Sequence, residues 1–340
     1  MKIEKHCLKD IPYCYAVQTI KIDGKDSLIF ASEAKDGSCY LFSEGKEEKI
    51  WDHVGGTMSI VPIPGKPEEF LAVQKFYPGF DSAEAQLIHA VRENGSWKTR
   101  VLQKIPYLHR FDLLVSGEDI WFIGCTLCSS KQNPEDWSDP GKILFGKLDK
   151  DDLQKLELSV LKDGLVKNHG YGRCHFQGQE VSVIAAENGV FVVKEPTKDT
   201  ACWSLQQITD RPASEAVLFD LDEDGQEELI LIEPFHGNAF TIWKKAAGGY
   251  EQVYAYPGPM NFGHVIWAGT LLGRPAVIGA QRQEAQDLFV IRWDGERYAC
   301  QSIDRHQGPS NIAVLHEDGR DIIASANREA GQAVLYFVTE

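Results

Sequence analysis

Seven glycines set the frame for this chain. A short alternating apolar run, a turn glycine and a second run of Val, Ile, Leu and Phe recur along it, as in EAVLFDLDEDGQEELILIE and IAVLHEDGRDIIASANRE. Alternation with period two reads as a half-buried strand, and a glycine between two such runs reads as a hairpin turn. The marker glycines are Gly24, Gly65, Gly117, Gly178, Gly225, Gly273 and Gly319, separated by 41, 52, 61, 47, 48 and 46 residues. Counting from Gly319 through the C-terminus and on to Gly24 gives 45, so the period survives wrapping around the ends. Units of four-strand size at this period predict a β-propeller.

The two ends fit a closed ring. The last unit finishes at VLYFVTE with only three strands. Residues 3–10 have the alternation of an outer strand and run into Ile11-Pro12-Tyr13, a junction repeated inside the chain at Ile105-Pro106-Tyr107. They are expected to complete the last blade and remove the open edge that would invite aggregation. The expectation is an all-β, seven-bladed propeller in one domain, residues 1–340, with the spacing stretched in blades two and three.

Composition narrows the function. The net charge of −15 argues against nucleic acid, whose phosphates select basic grooves. No apolar run is long enough to span a membrane. The N-terminus is charged from Lys2 with no apolar core of a signal segment, which points to the cytoplasm and to reduced thiols for the eight cysteines. Cys125-x-x-Cys128 lacks the second pair of a zinc ribbon. P-loop, dinucleotide and serine-hydrolase motifs are absent from the sequence.

Counting along the hairpins locates a candidate site. Residues about equally far before and after the turn glycine lie at the same end of an antiparallel pair. Seven to ten before the markers stand Tyr15, Met58, His109, His169, Glu215, His264 and Asn311. Nine after them stand Glu33, Gln74, Thr126, Glu187, Pro234, Arg282 and Arg328. One channel mouth would therefore collect three histidines, three carboxylates and two arginines. Wet propeller channels also carry polar residues without any ligand, so a solvated lining is the bland alternative. Converging neutral imidazoles suit a divalent metal or acid/base duty near neutral pH. Arginines at that level suit a carboxylate or a developing enolate.

Loops add to this mouth. KFYPGFDSAEAQ (75–86) and SSKQNPEDWSDPGK (129–142) follow the second strands of blades two and three and offer Tyr77, Phe80 and Trp137 as stacking faces. EPFHGN in blade five brings Glu233 and His236 nearby. At the opposite end of blade five, Asp220, Asp222, Asp224 and Glu228 surround Gly225, a set of carboxylates suited to Ca²⁺ or to a plain acidic turn.

FDLDEDGQEEL resembles the turn of the FG-GAP/VCBS repeat family, which implies a calcium-dotted β-propeller. FGHVIWAGTLLGRPAVIGAQR followed by GPSNIAVLHEDGRDIIASANRE resembles the propeller domain of aldos-2-ulose dehydratase-type sugar lyases and isomerases, over residues 168–340. The cupin domains that follow the propeller in those enzymes have no counterpart here. Oligogalacturonate and ulvan lyases are similar in architecture and in placing His, Tyr and Arg in a propeller mouth. The resemblance implies a lyase acting on a small carbohydrate, by dehydration or β-elimination on a keto-sugar or sugar-acid derivative. His109, His169 and His264 would then serve a divalent metal or acid/base duty, and Glu187 a second base or fourth ligand. Arg282 and Arg328 would hold the carbonyl or carboxylate, and Tyr15 would donate a proton. Gln74, Tyr77, Trp137, His236 and Asn311 would contact the substrate. A non-catalytic propeller binding a glycan or protein is the alternative.

Overall fold

In the computed structural model, which describes residues 1–77 and 81–340, the strands form seven four-stranded antiparallel sheets. The innermost strands of blades I to VII are Cys14–Ile22, Ile60–Pro62, Leu108–Ser116, Gly170–Phe176, Glu215–Phe219, Gly263–Leu271 and Pro309–Glu317. Each lies beside the innermost strand of the next blade, and that of blade VII lies beside that of blade I. The sheets thus close a ring around an axial channel, the seven-bladed propeller that the glycine period predicts.

All seven markers sit in the first turn of their blades, with φ between +64° and +86°. That left-handed backbone is open to glycine because no Cβ meets the carbonyl. Closure is as expected: Lys2–Asp10 pairs antiparallel with Gln332–Thr339, from Lys2 opposite Thr339 to Asp10 opposite Gln332. The stretched spacings come from residues 75–85 between the second and third strands of blade II and 127–140 at the same place in blade III. A 3₁₀ turn, Leu153–Lys155, adds length between the last two strands of blade III.

Burial explains the sequence pattern. Second strands lie between neighbouring blades and are covered on both faces; in ELILIE of blade V every residue is buried. That is why these runs read as continuous apolar stretches. The fourth strands face solvent, as in KIEKHCLKD and SWKTRVLQK, whose residues are mostly exposed. Phe70, Phe122 and Phe289 are fully buried between blades. Removing such a ring to alanine typically costs about 3–5 kcal/mol. All eight cysteines are free thiols. Among the described residues, no helix is long and apolar enough to cross a membrane.

The innermost strands carry one irregularity that positions the site. Their pairing register skips one residue near the start in four blades: Tyr15, His109, His264 and Ser310. A β-bulge leaves its extra residue outside the ladder and bends the strand, which re-aims that side chain. In blade IV, His169 holds the corresponding place immediately before the strand, its N–H donating to Ala185 O at 3.2 Å.

Candidate functional site

Four imidazoles meet at the bulged end of the channel. His109 Nδ1 lies 3.2 Å from His169 O, His169 Nδ1 lies 3.2 Å from Ser214 O, and His264 Nδ1 lies 2.8 Å from Ser310 O. Each acceptor belongs to the start of the following blade. A carbonyl only accepts, so each Nδ1 carries the proton and each Nε2 presents its lone pair inward.

The inward faces are short of protons. Tyr15 Oη lies 3.4 Å from His109 Nε2 and 3.2 Å from His264 Nε2, so one hydroxyl proton serves two acceptors. His236 Nε2 lies 3.2 Å from His169 Nε2. The donor atoms of His169, His236 and His264 all fall within 4.8 Å of one another, so this trio could hold one metal ion. Three neutral nitrogen donors suit borderline metals such as zinc, cobalt or nickel better than magnesium. His109 lies outside that trio, with its ring centroid 4.3 Å from that of His169. Burial pushes His109, His236 and His264 well below the usual imidazole value, helped by neighbouring imidazoles, by Arg282 beside His236 and His264, and by Arg110. Burial also pushes the Tyr15 phenol up to about 12, so it stays protonated.

His236 arrives differently from the others. It lies on the loop after the second strand of blade V with φ +47°, and its ring is stacked between Phe235 at 4.0 Å and Phe262 at 4.1 Å. Arg282 caps the far side, its guanidinium 4.6 Å from the Phe262 centroid. Above this floor opens a cavity of about 450 Å³. Its apolar walls are Phe76, Leu127, Trp137, Phe235 and Phe262, and its charged groups are Glu33, Lys131, Glu135 and Arg282. Lys131 Nζ stands 3.3 Å from the Trp137 ring centroid and donates to Pro134 O at 2.6 Å. Glu33 is paired with Arg328, and burial still raises its carboxyl above the usual range.

The counted level is met unevenly. Tyr15, His109 and His264 on the innermost strands, and Met58 and His169 just before theirs, line the cavity, as do Glu33 and Arg282 just after second strands. Asn311 sits one residue deeper than the bulge at Ser310. It donates to Tyr15 O at 2.7 Å, accepts from Arg110 at 3.0 Å, and lines the axial chamber below. Gln74 is buried against Gln86, Thr126 receives the N–H of Lys142, and Glu233 is held by Arg211 and Thr241. Polar groups at this level of the second strand therefore often bond the third strand of the same blade. Glu187 pairs with Lys167 at 3.5 Å, and Arg328 with Glu33 and Glu329; neither lines the cavity. Trp137 lines it and Tyr77 does not; Phe80 falls outside the described residues.

Phe76, Phe235 and Phe262 were not singled out in the sequence. Their signal was adjacency: Phe235 precedes His236, and Phe262 stands two before His264.

The acidic turn at the other end also assembles. Asp220, Asp222 and Asp224 bring carboxylate oxygens within 4.8 Å of one another. Asp220 accepts the N–H groups of Asp224 and Gly225 at 3.1 and 3.0 Å. Lys244 inserts its ammonium among Asp222, Asp224 at 2.6 Å and Glu228 at 3.2 Å.

Fold and site thus define a seven-bladed β-propeller with four imidazoles at one axial mouth. Compared with protein-family models and with curated proteins, the chain matches none.

Proposed function

We propose that the protein is a carbohydrate-active lyase that works at the imidazole mouth, removing a proton beside a carbonyl and expelling a β-oxygen from a keto-sugar or sugar acid. The observation that carries this reading is the convergence of inward-facing imidazole lone pairs on a buried, protonated phenol beneath an aromatic-walled cavity. β-Elimination needs those parts. A neutral imidazole takes the α-proton, the C–H electron pair becomes the C=C bond, and the C–O bond breaks as Tyr15 protonates the departing oxygen. Arg282 and Lys131 stand where a carboxylate or carbonyl oxygen of the substrate would be held. Trp137 and Phe235 offer ring faces for a sugar. A divalent ion bound by His169, His236 and His264 would add Lewis-acid stabilisation of the enolate. The dehydratase-like second half agrees with this assignment, while the FG-GAP/VCBS-like turn speaks only to the fold and to Ca²⁺ at Asp220, Asp222, Asp224 and Glu228, in competition with Lys244.

A panel of keto-sugars and uronides, followed by near-ultraviolet absorbance of the unsaturated product, tests it. Turnover of at least one member is expected, lost in His169→Ala and His264→Ala. No product from any member would leave the alternative, a glycan- or protein-binding propeller, which the half-buried Trp137 and Phe235 in the cavity wall also fit.

A further inference from the structure

The four imidazoles are not equivalent, and the difference lies behind them. His109 and His264 each meet a backbone carbonyl at Nδ1. His169 meets a carbonyl and a carboxylate: Glu215 Oε1 lies 2.8 Å from the same Nδ1 that donates to Ser214 O. Glu215 is 8% exposed, at the start of the innermost strand of blade V. Its Oε1 is sealed from solvent and takes no aligned hydrogen bond. The nearest cation is Arg110, whose Nη2 stands 3.8 Å away. That guanidinium is itself committed to Asn311 Oδ1 at 3.0 Å, and its Nε has no partner. A buried carboxylate oxygen without a donor is costly, so the His169 Nδ1–H at 2.8 Å has a second acceptor waiting beside its first.

We infer that Glu215 is a positioning residue for His169: it fixes the proton on Nδ1, holds the ring plane, and makes Nε2 the strongest donor of the four imidazoles facing the cavity. Ser214 O and Glu215 Oε1, which only accept, are nearer to Nδ1 than the Ser214 hydroxyl at 3.4 Å, so the alternative tautomer would set a nitrogen lone pair against a carboxylate at 2.8 Å. Negative charge behind an imidazole raises the donor strength of its far nitrogen, the arrangement by which carboxylates tune metal-bound histidines. The sequence places Glu215 at the common level, but only the structure shows it behind another blade's histidine. The cobalt arm of the test rests on reading the mouth as a metal site; the tautomer does not.

Two measurements separate the possibilities. Long-range ¹H–¹⁵N spectra of the wild-type protein are expected to show His169 as the Nδ1–H form; a proton on Nε2 would overturn the inference without any variant. Glu215→Gln keeps the shape of the side chain and removes its charge. With thermal unfolding checked alongside, it is expected to weaken Co²⁺ binding by about 10–100-fold, the usual cost of losing such a partner. An affinity within twofold of the wild type would overturn the inference. If the wild-type protein binds no Co²⁺, the metal reading falls instead. The inference is then decided by the His169 Nε2 resonance, which must move in Glu215→Gln and would refute it by staying fixed.

Discussion

The imidazole mouth and the acidic turn sit at opposite ends of the blade V hairpin, and they handle polar groups in opposite ways. At the turn, one short segment closes on itself. Asp220 satisfies two backbone N–H groups of its own loop, and Lys244 from the next strand fills the space between the carboxylates. At the mouth, side chains from blades I, III, IV, V and VI converge: the Nδ1 atoms of His109, His169 and His264 each meet a backbone carbonyl, while their Nε2 atoms have only the Tyr15 hydroxyl and His236 to share. Tyr298 from blade VI donates to Glu228 at 3.1 Å as well, and a cluster whose carboxylates are met by a lysine, a phenol and backbone N–H groups is a structural device. A cluster that leaves lone pairs facing a cavity is set up for a guest.

The largest effect that could break this comparison concerns metal. His236→Ala removes one of three donors and is expected to weaken Co²⁺ or Zn²⁺ binding by more than about 100-fold in calorimetric titration, beyond the loss of an outer partner. Tight binding that persists in that variant would place the metal elsewhere and undo the contrast.

Next comes Lys244→Met. It leaves Asp222 and Glu228, which are buried, repelling each other and Asp224. A loss of about 3 kcal/mol in chemical denaturation is expected, near the low end for breaking a buried pair because Lys244 is partly exposed. Millimolar Ca²⁺ should restore the variant's midpoint while leaving the wild type nearly unchanged. A wild type that gains as much from Ca²⁺ would mean the ammonium does not hold the position.

The smallest effect is alkaline. Tyr15 is pushed from 10.0 to about 12 by burial, so the folded protein keeps a proton that the unfolded chain gives up. The stabilising contribution is complete below pH 10 and is lost as pH rises through about 12. The stability difference between wild type and Tyr15→Phe should therefore shrink by roughly 2 kcal/mol across that window. A constant difference would show that the phenol is not held protonated by its surroundings.

How much of this was legible in the sequence follows from what each pattern depends on. The ring was legible because turn glycines and alternating runs are local, and so was the strand that Lys2–Asp10 adds to the last blade. Tyr15, His109, His169 and His264 were legible because they lie on innermost strands or, for His169, immediately before one, at nearly constant distance from the turn. Second-strand positions were less faithful. Gln74, Glu187 and Arg328 occupy the counted level, but Gln74 bonds the third strand of its own blade, Glu187 the Lys167 loop and Arg328 the neighbouring blade at Glu33. Periodicity gives height along a strand and not whether a side chain points toward the axis. His236 could be placed near the mouth but not seen as the third member of the trio, because a loop residue at φ +47° obeys no strand register.

The bulges have a consequence for how such a protein can change. Tyr15, His109 and His264 each stand where the pairing register skips a residue. Exchanging one of them alters what the mouth can do while the ladders on either side keep their partners. Architecture and the lining of the mouth are thereby written at separate positions, and a lineage can vary these few side chains without rebuilding the wheel that carries them.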